Sequence, residues 1–275
     1  MCFQNNRKGK ETTFPVFLWG VGNKEMRISE TNDRTTGYLW MIYRRLNDHF
    51  GNLNWWPGDT PFEIIVGAIL TQNTNWKNVE SALENLKDHG LFEPHALLRE
   101  DVETIAGLIR PSGYYNIKTQ RLRAFLQFLN DEYHSNVQAM FDRDIWALRS
   151  QLLNIRGIGE ETADSILLYA GGMSIFVVDA YTKRILQRAG MITESWGYRD
   201  IQKLFMDHLP HDVGLFNQYH ALLVNTGKYY CRKRPLCEQC PLYDVEQGGL
   251  CMGSRDQMIN ENKSGGRDQQ NTIGN

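Results

Sequence analysis

Hydrophobic and polar positions repeat with a helical period along most of the chain. Val79, Ala82, Leu83 and Leu86 fall at i, i+3, i+4 and i+7, and Leu122, Phe125, Leu126 and Leu129 repeat that spacing. Because an α-helix turns every 3.6 residues, each set forms one apolar stripe facing a core. Segments 61–71, 144–153, 160–170, 179–190, 197–208 and 213–227 also read as helices, and helix follows helix from Thr36 onward. Short breaks such as "RPSG" (Arg110 to Gly113) separate them. No run of strands and no internal repeat is visible. The expected fold class is all-α, with most apolar residues serving as inter-helix core. Residues 1–34 are polar and lack a helical period, so an irregular extension is expected there. Residues 252–275, with "SGGRDQQNTIGN", are polar and Gly-rich and are expected to be disordered.

A length of 275 residues allows one large or two small domains. The 41% hydrophobic and 23% charged content is that of an ordinary globular chain. Lys and Arg number 30 against 32 Asp and Glu, a formal net charge of -2. A nucleic-acid partner would therefore have to be held by a local face, not by global charge. No apolar run reaches the roughly 18 residues needed to span a bilayer, so no membrane partner is expected. "FPVFLWGVG" (Phe14 to Gly22) follows a basic start, but Glu11 intervenes and no small-residue cleavage site follows. Cytoplasm is the expected location and a monomer the default state.

Four of the five cysteines, Cys231, Cys237, Cys240 and Cys251, crowd into one C-terminal stretch, which reads as a metal or cluster site. In the middle of the chain, Gly157-Ile158-Gly159 precedes a helix from about Glu160. Glycines permit positive φ and close backbone approach, and a helix start offers free N–H groups. Together these suit a phosphate oxygen; the same turn also serves as a plain inter-helix connection with Ile158 as a core plug. Asp179 follows an apolar run and stands at a helix start, where a carboxylate can cap.

"LLNIRGIGEETADSILLYA…FVVDAYTKRI" resembles the helix-hairpin-helix and Gly/Pro…Asp signature of the endonuclease III superfamily of DNA glycosylases. The step from Gly159 to Asp179 is 20 residues. "FEIIVGAILTQNTNW" and "SGYYNIKTQRL" are similar to the family's earlier helices, so the resemblance runs from about residue 36 to 251. It implies a two-lobed all-α fold: a cluster-bearing lobe from 35–58 with 172–251, and a helical barrel lobe from 59–171 that ends in the hairpin. It implies double-stranded DNA with a damaged base as partner, the base flipping into the cleft between the lobes. The hairpin residues Gly157, Ile158, Gly159, Glu161 and Thr162 would hold the DNA backbone. Gln72 and Asn73 would face the duplex where the base has left; capping or an interhelical hydrogen bond is their other use.

The resemblance makes Asp179 the catalytic carboxylate, which stabilises positive charge on the sugar and orients the attacking water. Bifunctional members carry a lysine two residues after the second glycine, forming a Schiff base there. Here that residue is Glu161, so a monofunctional glycosylase with little lyase activity is expected. Mismatch adenine glycosylases carry a glutamate in the early helix that helps protonate the base. The matching residue is Ala68, which suits a base that already leaves easily. "WWP…FE…LTQNT" and an aromatic resemble the 3-methyladenine DNA glycosylase III branch. Trp55, Trp56 and Trp76 would then form the base pocket, where electron-rich rings favour a cationic alkylated purine; ordinary packing is their other use.

The cysteines have gaps of five, two and ten residues. The Cys-x-x-Cys-Pro core matches the family's [4Fe–4S] motif, while the long last gap puts Cys251 in question. A Cys₄ zinc site uses the same residues. The cluster would press Arg232, Lys233 and Arg234 against DNA phosphates. Within the enzyme class the alternatives are an endonuclease III-like glycosylase with lyase activity and a uracil or thymine mismatch glycosylase. Outside it stand a non-catalytic DNA-binding protein and a zinc-stabilised helical domain.

Overall fold

The structure, a computed structural model, describes residues 34–53, 55 and 58–243. All regular elements among them are helical: α1 (Arg34–Phe50), α2 (Pro61–Leu70), α3 (Trp76–Asp88), α4 (Pro94–Arg99), α5 (Val102–Leu108), α6 (Tyr115–Tyr133), α7 (Val137–Phe141), α8 (Ile145–Asn154), α9 (Glu160–Ser165), α10 (Ala180–Arg188), α11 (Tyr198–His208) and α12 (Val213–Tyr229). The expected all-α class is what the chain forms. The N-terminal extension up to residue 33, Trp56, Cys251 and the C-terminal tail lie outside the described residues.

Local chemistry sets most helix starts. Thr60 accepts from the Glu63 N–H ahead of Pro61, Asn75 from Asn78, Asp144 from Trp146 and Ala147, and Asp212 from Leu215. Each cap satisfies an N–H that the helix leaves without a partner. The apolar stripes on α3 and α6 are buried as their spacing requires, with none of the eight residues more than 3% exposed.

One expected helix differs. Segment 160–170 is not a uniform α-helix: α9 lasts six residues and passes into a π-helical turn at Ile166–Ala170. Periodicity cannot detect this, because one wider turn leaves the apolar pattern of "SILLYA" intact.

The helices form two groups. In one, α2 packs on α3, α6 and α9, α4 and α5 pack on α6, and α7 and α8 continue the ring. In the other, α12 packs on α10 and α1, and α1 touches α11. The π-helical turn contacts both α2 and α12, so it sits at the seam. Buried polar side chains brace the same seam. Arg149 grips Asp164 with Nε to Oδ1 at 2.6 Å and Nη2 to Oδ2 at 3.0 Å. Tyr198 and Gln202 of α11 both donate to Asp164 Oδ2 at 2.7 Å. Gln202 also donates to the Phe176 carbonyl at 2.7 Å, fixing the segment that leads to Asp179. Lys118, only 1% exposed, donates to the carbonyls of Leu70 and Ser112, which closes the C-terminal end of α2.

Candidate active site

Asp179 is the N-cap of α10, and its two oxygens do different work. Oδ1 accepts from the Thr182 N–H at 2.7 Å and the Thr182 hydroxyl at 2.8 Å, which locks the side chain. Oδ2 lies 3.9 Å from His220 Nε2. One oxygen of the carboxylate therefore caps the helix and the other lies beside His220.

His220, on α12, is buried and its Nε2 has no hydrogen-bond partner. Its Nδ1 lies 2.5 Å from the Tyr169 hydroxyl on the π-helical turn. Burial lowers the His220 pKa, Lys228 acting in the same sense and Asp179 against it. Burial raises Tyr169 well above the usual phenol range, helped by the Asp179 and Glu161 charges and opposed by Trp55. Tyr169 and the histidine ring thus share a hydrogen bond through Nδ1, and Nε2 is the ring nitrogen nearest Asp179 Oδ2.

Glu161 and Lys228 complete the cluster. Glu161 is exposed at the start of α9; desolvation by the protein around it, with the Asp179 charge, pushes its carboxyl up to about 7. Lys228 is exposed as well, and burial of its surroundings lowers its amine while Asp179 opposes the shift. Its Nζ stands 5.4 Å from the centroid of the Trp55 ring. The structure therefore brings Asp179, Glu161 and Trp55 together, as the sequence reading expects, and adds Tyr169, His220 and Lys228. No sequence signal marks those three: each sits inside a helical pattern as an ordinary core or surface residue.

The hairpin is built as a braced turn. Gly157 has φ 90, a left-handed value that glycine alone adopts without strain, and an added Cβ would meet the Arg121 side chain. Gly159 is extended (φ -95), and nothing lies within 4 Å of an added Cβ. Ile158 is 5% exposed and plugs the turn into the core, so its side chain anchors the hairpin from beneath. Gln72 spans the turn, donating to the Gly157 carbonyl at 3.2 Å and Thr162 Oγ1 at 2.9 Å, while Arg121 donates to its other end. This is the hydrogen-bonding use of Gln72. Asn73 beside it is exposed and left-handed, with φ 56. Gly157→Ala should cost about 1–3 kcal/mol in stability through the strained φ. Thermal melting checks this; an unchanged midpoint would show that the turn relaxes freely.

Trp76 opens α3, packs against Gly67 of α2 and donates to Glu80 at 2.9 Å. Arg232, Lys233 and Arg234 are all exposed. Arg188 of α10 holds their loop by donating to the Arg232 carbonyl at 2.7 Å and the Lys233 carbonyl at 3.4 Å. Arg184 donates to the Cys231 carbonyl at 2.7 Å. Cys231, Cys237 and Cys240 are free thiols at the end of this loop. Cys237 and Cys240 share one tight turn, with the Cys240 N–H on the Cys237 carbonyl at 2.9 Å. Cys240 lies close enough to the other two sulfurs to feel their charge. Among the described residues, no three Cys, His, Asp or Glu side chains are arranged as a metal site. The donor chemistry nonetheless suits a thiolate-bound group, since Cys231, Cys237 and Cys240 are soft sulfur donors.

Residues 66–211 match the HhH-GPD superfamily of base excision DNA repair proteins. A Methanocaldococcus jannaschii protein described as a DNA repair glycosylase is 47% identical over 205 residues, 74% of this chain and 93% of its own length. Endonuclease III of Sulfolobus acidocaldarius is 30% identical, covering 66% and 80%. Among solved structures, H. pylori 3-methyladenine DNA glycosylase bound to 1,N6-ethenoadenine is similar with a TM-score of 0.62 and 26% identity, covering 70% of this chain and 97% of that one. An endonuclease III trapped as a covalent intermediate with DNA shares the fold, with a TM-score of 0.69 and 22% identity over 81% and 98%. Among the described residues no helix is long and apolar enough to cross a membrane.

Proposed function

The chain belongs to the HhH-GPD superfamily of base excision DNA repair proteins, and we propose that it is a monofunctional glycosylase for an alkylated purine such as 3-methyladenine. The observation that carries this reading is the Asp179 carboxylate: one oxygen is locked by Thr182 and the other lies 3.9 Å from His220 Nε2. Cleaving the C1′–N bond builds positive charge on the sugar. A fixed carboxylate stabilises that charge and orients water without reorganising. His220, held by Tyr169, positions Oδ2.

Glu161 stands where a Schiff-base lysine would stand in a lyase, and a carboxylate cannot form the imine. Lys183 is engaged elsewhere, donating to the carbonyls of Glu194 and Trp196. Trp55 already carries the Lys228 ammonium over its ring, the arrangement a cationic base would use. The H. pylori relative, described as a 3-methyladenine DNA glycosylase, supports the same substrate class. In this reading the lobes are 35–58 with 172–251 and 59–171, and the base enters between them. The hairpin at Gly157–Gly159 meets a DNA phosphate, and Arg232, Lys233 and Arg234 meet others. Cys231, Cys237, Cys240 and Cys251 would hold a [4Fe–4S] cluster whose part is structural, stiffening the basic loop. Visible absorbance and bound iron distinguish it from zinc.

The test is base release from methylated duplex DNA, with strand cleavage scored before and after alkali. Release of 3-methyladenine with strands intact until alkali is the expected result. No methylated base released would overturn the substrate assignment in favour of uracil, mismatched thymine or oxidised bases. Cleavage without alkali would favour a lyase, with Lys228 as its nucleophile, since that amine lies near Asp179 and is lowered by its surroundings.

A further inference from the structure

The hairpin carries the wrong charge for a phosphate. Residues 157–162 read Gly-Ile-Gly-Glu-Glu-Thr, without a basic side chain. Glu160 is held by Arg199, Nε to Oε1 at 2.6 Å, with an Arg149 nitrogen 3.8 Å from the same oxygen. Those two arginines are therefore spent on carboxylates, Arg149 on Asp164 as well. A phosphodiester brought to this turn needs a cation from another element.

Arg121 of α6 reaches the turn. Gly157 has no side chain, and the space that a Cβ would fill is taken by Arg121: Nε would lie 2.8 Å and Cδ 2.9 Å from that atom, with Cγ closer still. The glycine thus serves twice, as the residue that adopts φ 90 and as the notch that admits the Arg121 side chain. Arg121 Nη1 donates to Gln72 Oε1. Because arginine only donates, the Gln72 amide nitrogen is left to face the Gly157 carbonyl at 3.2 Å and Thr162 Oγ1 at 2.9 Å. The guanidinium is thereby held beside the turn from two sides. A neutral amide occupies one of its five N–H donors and neutralises no charge. Among the described residues no carboxylate pairs with Arg121. One turn earlier on α6, the buried Lys118 donates to the carbonyls of Leu70 and Ser112. Burial lowers its amine, and the Arg121 charge acts in the same sense. Among the described residues, both cations at this end of α6 are thus met by carbonyl and amide oxygens, not by carboxylates.

We propose that Arg121 is a phosphate-binding residue of the hairpin: its guanidinium, admitted by the Gly157 notch, takes the non-bridging oxygens of the DNA phosphodiester that meets this turn. The proposal rests on the reading of the hairpin as a DNA contact given above. A guanidinium presents paired N–H donors in a fixed fork that matches two phosphate oxygens. Such a contact holds the backbone and reads neither sequence nor lesion. In a chain of net charge -2 it supplies the local attraction that a DNA partner demands, from a helix and not from the turn itself.

The experiment measures equilibrium binding of the full chain to an undamaged duplex and to the same duplex carrying a tetrahydrofuran abasic analogue, between about 50 and 200 mM salt. Arg121→Met should lower the slope of log K against log salt by about 0.9, the counterions of one phosphate. It should weaken binding by about 5–50-fold at the higher salt, on both duplexes alike. Arg121→Lys keeps the charge and loses the fork, so it should hold the wild-type slope and recover part of the affinity. Arg121→Gln keeps an amide head but no charge, and should match Arg121→Met in slope. A fold defect alone lowers the fraction of binding-competent protein and leaves the slope in place, and circular dichroism reports it separately. A wild-type slope in both uncharged variants would overturn the proposal. So would a loss confined to the abasic duplex, which would assign Arg121 to Gln72 alone. In either case salt-dependent duplex binding by wild type leaves the hairpin reading standing. A wild type without such binding overturns both.

Discussion

Asp179→Asn should reduce base release by at least about 10²–10³-fold, the effect of removing a preorganised electrostatic group from a transition state, while the fold stays intact. The structure makes this substitution unusually clean. Asp179 Oδ1 caps α10 through Thr182, and asparagine is as good an N-cap as aspartate. The helix start should therefore survive, with only the carboxylate replaced by a neutral amide. Single-turnover base release reports the loss, and circular dichroism with duplex binding reports the intact scaffold. Asp179→Ala removes the cap as well and should cost a further ~1 kcal/mol in stability. A non-catalytic DNA-binding protein would tolerate Asp179→Asn, so activity within tenfold of wild type would sink the glycosylase assignment of this residue.

Arg149→Met should destabilise the protein by about 3–5 kcal/mol, because it strands a buried charge. Asp164 is 0% exposed and accepts from Arg149 twice and from Tyr198 and Gln202 once each. Removing the guanidinium leaves the carboxylate in low dielectric with neutral donors only. For a chain of this size that corresponds to a fall in melting temperature of roughly 6–20 °C. Replacing both partners together, as in Arg149→Met with Asp164→Leu, should recover much of the loss, since no unpaired charge remains. A thermal melt of the three variants decides it. A single variant that melts within about 2 °C of wild type would show that the pair is not what braces α8, α9 and α11. Because Gln202 also holds the Phe176 carbonyl ahead of Asp179, the single variant should lose activity along with stability.

Much of the fold was legible in the chain. The stripes at Val79–Leu86 and Leu122–Leu129 identified buried helix faces because burial follows the 3.6-residue repeat. The apolar pattern also marked helices beginning near residues 61 and 213, where the structure shows Thr60 and Asp212 capping, since capping is local chemistry. The π-helical turn at Ile166–Ala170 was not, for a widened turn alters hydrogen bonding without altering residue type. Short α4, α5 and α7 also escaped: five to seven residues give too few turns for a periodic signal.

In the site, sequence pattern singled out Gly157, Gly159 and Asp179, because a hairpin and a cap leave marks at fixed spacing, and the family resemblance added Glu161. It left Gln72 between the duplex and a hydrogen bond within the protein, and in the structure Gln72 bonds the hairpin and Arg121. Tertiary structure alone brought in Tyr169, His220 and Lys228, from helices that pack across the seam. The sequence by itself determined which groups could act, as their chemistry is written in residue type. Which side chains surround Asp179 was decided only by the fold, because Tyr169, His220 and Lys228 come from elements distant in the chain.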